Sequence, residues 1–146
     1  AGGVGIDKVT GVTISDSVRA TLARKDPKEN LFFTTTANGK AEGRRFIQRL
    51  KERTDDRDKP ISPIAFRRQL KAVRNWGTQE PVDLSGITQP VFVANGDHDR
   101  MVPTSNSTDL ARRLPNARLR IYPDAGHGGI FQSHNEFVTE ALDFLA

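Results

Sequence analysis

A chain of 146 residues, 36% hydrophobic and 27% charged, has the size and make-up of one globular domain. No run approaches the roughly eighteen apolar residues of a membrane span, and no basic stretch followed by an apolar one opens the chain, so the cytoplasm is the default expectation. With no cysteine, disulfide frameworks, thiolate-bound metals and thiol nucleophiles are excluded, while 22 Lys and Arg against 18 Asp and Glu give a formal charge of +4 whose location must be asked about.

The first elements are weakly marked. Residues 1–15 predict an entry strand or extended loop, with Val9, Val12 and Ile14 as short alternating apolar positions. Asp16 to Lys25 then predicts a short helix carrying Val18 and Leu22 at i, i+4. From Asn38 to Arg53, Phe46, Ile47 and Leu50 share one helical face and Arg44, Arg45, Arg49, Lys51 and Arg53 take the rest. A charged connector ends at Pro60. Ser62-Pro63 is a strong helix start, a capping hydroxyl followed by proline where its missing N–H costs nothing. Phe66, Leu70 and Val73 give that helix its apolar side, and Gly77 is expected to close it in the left-handed conformation.

After the linker Glu80 to Pro90 the texture changes. Val91-Phe92-Val93-Ala94, bounded by Pro90 and Gly96, reads as a buried parallel strand. Thr104 to Leu114 predicts a helix with Leu110, Ala111 and Leu114 inward, and Leu119 to Tyr122 a second strand. Phe137, Val138, Ala141, Leu142 and Leu145 form the stripe of a terminal amphipathic helix. Strand, helix, strand, helix is the order of a parallel α/β sheet.

Two loops follow the predicted strand ends, where open α/β sheets build their sites. One is Gly96-Asp97-His98-Asp99-Arg100-Met101-Val102-Pro103, the other Asp124-Ala125-Gly126-His127-Gly128-Gly129. A carboxylate on one loop can hold one imidazole nitrogen of a histidine on its neighbour, leaving the other nitrogen to accept a proton from a nucleophile. The glycines around His127 suit a tight loop with little steric cover over the ring.

Gly96-x-x-Asp99-x-x-Val102-Pro103, followed by Gly126-His127 and a terminal amphipathic helix, resembles the end of an α/β-hydrolase fold protein. The resemblance covers residues 90–146. It implies that Asp99 matches the triad acid and His127 the triad base, that Asp97 is a neighbour at the start of its loop, and that the reaction is hydrolysis of a small ester, amide or related bond without a cofactor. By position and texture, residues 16–79 are similar to the helical cap such enzymes insert over the site, which divides the chain into an entry segment (1–15), a cap (16–79) and a C-terminal core segment (80–146).

The departures are large. None of Ser15, Ser17, Ser62, Ser85, Ser105, Ser107 and Ser133 sits in Gly-x-Ser-x-Gly; Asp83 stands where Ser85-Gly86 would need the first glycine. The resemblance also admits an aspartate nucleophile. The only methionine is Met101 in a chain that opens Ala1-Gly2-Gly3. The expectation is therefore a partial α/β-hydrolase fold, inactive alone for want of the nucleophile, with self-association or a partner bearing the N-terminal half to cover its open sheet.

The residues admit three other readings. Asp97, His98 and Asp99 with His127 or His134 could be metal ligands, but residues two apart on an extended segment point to opposite sides, so no metal is expected. Arg67, Arg68, Lys71 and Arg74 form an acid-free basic helix face that could bind nucleic acid or serve a non-enzymatic binding module; a solvated face reads the same way, and no recognition motif accompanies it. Phe32, Phe33 and Trp76 could line a substrate pocket, with packing the commoner use.

Overall fold

The structure is a computed structural model that describes residues 3–24 and 26–146. The expected entry segment at residues 1–2 and the expected helix end at Lys25 lie outside them.

Its first element corrects the reading of the N-terminal segment. Residues expected as a strand or loop and then a short helix form one helix, α1 (Ile6–Leu22). The inward face is carried by Thr13, Asp16 and Ala20 at helical spacing, and two of these three are polar, so no apolar stripe betrays the helix. Val18 and Leu22, the expected inward pair, are 54% and 81% exposed. A short α2 (Pro27–Phe32) follows, with Asp26 accepting from the Lys28 N–H at its start. In α3 (Ala37–Glu52) the Thr36 hydroxyl accepts from the Gly39 N–H at 2.9 Å, and Gly39, Gly43 and Ile47 are buried.

Helix α4 (Pro63–Gly77) begins as the sequence predicts, with the Ser62 hydroxyl accepting from the Ala65 N–H at 3.1 Å. Its end differs. Gly77 is the last helical residue and is not left-handed; its role is contact, because a Cβ there would lie 2.3 Å from Ile6 Cγ1. The helical region thus runs from residue 6 to 77, with α1 packed on α2 and α4.

The C-terminal part follows the predicted order. Strands β1 (Val91–Gly96) and β2 (Ala117–Tyr122) pair in parallel, Val91 opposite Ala117 through Gly96 opposite Tyr122. Between them runs α5 (Thr104–Arg113), and after them a short α6 (Gly129–Gln132) and α7 (His134–Leu145).

Alternation along the strands assigns one helix to each face. On one side Asn95 Nδ2 donates to Ser107 Oγ of α5 at 3.0 Å. On the other, the Phe92 ring stacks on Phe137 and Phe144 of α7 at 6.2 and 5.5 Å, and Arg120 meets Glu136 and Glu140. The inward sides of these helices are narrower than predicted: Leu110 of α5 and Val138, Leu142 and Leu145 of α7 are exposed, while Ser107 and Phe137 meet the sheet and Leu114, just past α5, is buried. Among the described residues no helix is long and apolar enough to cross a membrane. Because β1 and β2 run parallel and in register, both following loops emerge at one edge, the arrangement on which the site depends.

Candidate active site

The loop after β1 folds around the carboxylate of Asp99. Its Oδ1 accepts from the backbone N–H groups of Met101 and Val102 at 2.8 and 2.9 Å, and its Oδ2 lies 2.9 Å from His127 Nδ1 on the loop after β2. The Asp99 side chain is 1% exposed, whereas that of His127 is 34% exposed. An ionised carboxylate can only accept, so Nδ1 is the donor to it, and in a neutral imidazole with that tautomer Nε2 keeps its lone pair. The two predicted site residues, 28 positions apart in the chain, are therefore brought into direct hydrogen-bonding contact.

Asp97 has a different task. Its Oδ1 accepts from the Ala125 N–H at 3.0 Å and meets His98 Nδ1 at 2.6 Å, while the His98 N–H donates to the Ala125 carbonyl at 2.9 Å. These bonds lace the two loops together beside the Asp99–His127 contact. Partial burial works against the Asp97 charge, but the bonds from His98 and the Ala125 N–H outweigh it and hold the carboxyl below its ordinary value. The hydrogen bond to Asp97 raises His98 above the usual imidazole value. Asp97 and Asp99 thus serve separate histidines, and among the described residues no group of three His, Asp or Glu side chains is arranged to hold a metal.

The helical region supplies the other side of the site. Phe32, at the end of α2, lies 5.6 Å from the His127 ring, and its carbonyl accepts from the Gly128 N–H at 2.7 Å. This contact explains the glycines around His127: a Cβ on Gly126 would come 2.7 Å from the Phe32 carbonyl oxygen. Beyond His127 opens a cavity of about 490 Å³ walled by Ile6 and Val9 of α1, Phe66, Leu70 and Trp76 of α4, and Met101. Of the three aromatics singled out in the sequence, Phe32 and Trp76 border this cavity, and Phe33 is buried as packing at 3% exposure.

Two further polar links, both made by side chains, join the helical region to the two loops, and the sequence reading missed both. Asp16, buried in α1, pairs with Arg100 at 3.1 Å, next to Asp99. Asp124, three residues before His127, is bonded by Thr34, Thr36 and Asn38. Neither has a periodic signature. The only local hint is the Pro123-Asp124 pair, since Asp124 takes a φ of 52°, a region that aspartate tolerates better than most residues.

Comparison with known proteins matches the family profile described as the alpha/beta hydrolase fold over residues 7–133. An alpha/beta hydrolase fold protein from Chitinophaga pinensis superposes with a TM-score of 0.81 at 38% identity, covering 94% of this chain and 51% of that one. A non-heme haloperoxidase of Rhodococcus erythropolis is 45% identical over 64 residues, 43% of this chain and 23% of that protein. A pimeloyl-[acyl-carrier protein] methyl ester esterase of Nitrosomonas europaea is 26% identical over 110 residues, 75% of this chain and 42% of that protein. The chain spans about half the length of the Chitinophaga protein and less than half of the other two.

Proposed function

The chain belongs to the alpha/beta hydrolase fold family, and from that premise and the geometry of its two loops we propose that His127 is the general base, and Asp99 its orienting acid, in hydrolysis of a small ester, amide or related bond. The observation that carries this reading is the 2.9 Å contact between a buried carboxylate and a partly exposed imidazole whose ring borders an apolar cavity. The attacking hydroxyl gives its proton to His127 Nε2 as its oxygen bonds to the carbonyl carbon. Asp99 stabilises the imidazolium that results, and collapse of the tetrahedral intermediate returns the proton to the leaving group. Water then repeats the sequence to release the acid. The cavity between α1 and α4 takes the apolar part of the substrate.

In this reading the nucleophile comes from polypeptide outside these 146 residues. The serines support that assignment. Ser62 caps α4, Ser85 is bonded to Asp83, Ser107 accepts from Asn95, and none lies in a nucleophile turn. Two faces of the fold agree with a further covering segment or a second copy. Among the described residues β1 pairs only with β2, and Leu119, Val138, Leu142 and Leu145 are exposed.

Alone, the chain is expected to be inactive. Loss of the nucleophile removes the covalent path, and lack of oxyanion donors costs roughly a further hundredfold or more. Incubation with activated aryl esters and a serine-directed phosphonate tests this: no turnover and no labelled serine are expected. Phosphonate-sensitive turnover with a labelled serine would contradict the reading.

A further inference from the structure

Asp124 stands outside the chemistry proposed above, yet it is among the most heavily bonded side chains described. Its Oδ1 accepts from the hydroxyls of Thr34 and Thr36, each at 3.0 Å, and its Oδ2 accepts from Thr36 at 3.1 Å and from Asn38 Nδ2 at 3.0 Å. Its carbonyl accepts from Gln132 Nε2 at 2.8 Å. The three donors to the carboxylate all lie at or beside the connection between α2 and α3. That connection leaves α2 at Phe32, whose carbonyl holds the Gly128 N–H and whose ring lies against His127.

His127 is thus pinned to the helical region from both sides along the chain, by Asp124 before it and Gly128 after it. A loop tied at two points so close together cannot carry the His127 backbone away from Asp99 unless one tie opens. We propose that Asp124 is a positioning residue, its carboxylate fastening the helical region to the loop after β2 and thereby holding His127 against Asp99. The proposal rests on the reading of His127 as general base. Asp124 acts only through the loop, since none of its bonds reaches either member of the pair.

The charge state suits the task. The bond from Asn38, opposed by partial burial and reinforced by Thr36 and Thr34, holds the Asp124 carboxyl below its ordinary value. The tie is therefore present above the ordinary carboxyl value of 3.8 and opens only as pH falls through the lowered one.

The test uses the 146-residue chain. Asp124→Gly removes the carboxylate while leaving the left-handed backbone accessible. The Gly128 amide is expected to exchange with deuterium about tenfold faster or more. The Nδ1 proton resonance of His127, assigned with His98→Gln and His134→Gln, moves toward that of a free imidazole, while the Val93 amide keeps its protection. Asp124→Asn, which keeps an acceptor oxygen and tolerates the same φ, restores both signals in large part. Should Asp124→Gly also loosen Val93, the decision passes to Thr34→Val/Asn38→Ala, which removes donors from the far side and is expected to move His127 in the same direction. A His127 resonance and Gly128 exchange that stay at their wild-type values in these variants overturn the proposal. Asp99→Asn separates the two readings. If it leaves the His127 resonance in place, the general-base assignment fails; if it moves the resonance and the Asp124 variants do not, only the positioning role fails.

Discussion

Gly96 ends β1 where the two loops touch, and Gly96→Ala measures how tightly they are pressed together. A Cβ at this position would lie 2.1 Å from the Ala125 carbonyl oxygen, 2.4 Å from that of Gly126 and 2.5 Å from the Ala125 carbonyl carbon. All three are backbone atoms, so no side chain can turn aside; the loops must part by about an ångström. Overpacking of this kind costs about 1–3 kcal/mol. Parting the loops also stretches the His98 N–H bond to Ala125 and the Ala125 N–H bond to Asp97, now 2.9 and 3.0 Å. At about 1 kcal/mol each, these bring the total to about 3–5 kcal/mol, a large share of the roughly 5–15 kcal/mol that holds a domain folded. Urea unfolding followed by the fluorescence of Trp76, the single tryptophan, reads the change. Gly86→Ala is the control, because a Cβ there meets nothing within 4 Å and the effect should stay within about 0.5 kcal/mol. A Gly96→Ala chain as stable as the control would refute the argument that the loops are in backbone contact.

Other consequences follow from the same structure. Gly11 lies in mid-α1 with open space around a prospective Cβ, so Gly11→Ala should stabilise the chain by about 1 kcal/mol in a thermal melt; a loss of stability would contradict a helix over residues 6–15. Arg100→Ala leaves the buried Asp16 carboxylate without its counter-ion, and because Arg100 is itself half exposed the cost is put at about 1–3 kcal/mol. In an Asp16→Asn background that cost should fall, and a double-mutant cycle without coupling would dismiss the link. His98, raised by its bond to Asp97, contributes stability that is complete below the ordinary imidazole value of 6.5 and is lost as pH rises through the higher folded value. The difference in thermal midpoint between wild type and His98→Gln should therefore shrink as pH rises through that range, and a difference that widened would reverse the assignment.

The C-terminal half and the start of α4 were the more legible in the sequence because their signals are local. Pro90 and Gly96 bracket a continuous apolar strand, Ser62-Pro63 starts α4 by capping chemistry that needs no tertiary partner, and Asp99 and His127 stand on loops that strand order alone puts at one edge. What escaped was set by contacts across the chain. In α1 the buried face includes Thr13 and Asp16, and Asp16 is tolerable there because Arg100 reaches it. In α7 the expected stripe took in Leu142 and Leu145, which are exposed, and left out Phe144, which meets Phe92 beside Phe137. Asp124 and its partners are 86 to 90 residues apart, and polar pairs at such separations leave no periodicity to read.

Joining this chain to the part of the Chitinophaga pinensis protein that lies outside the match, and measuring aryl-ester hydrolysis, tests whether His127 and Asp99 await a nucleophile supplied by further polypeptide. The expected result is turnover that disappears in His127→Ala and is strongly reduced in Asp99→Asn, while Asp97→Asn keeps the larger part of it. Turnover in the joined protein that persists unchanged without the His127 imidazole would show that His127 is not the base.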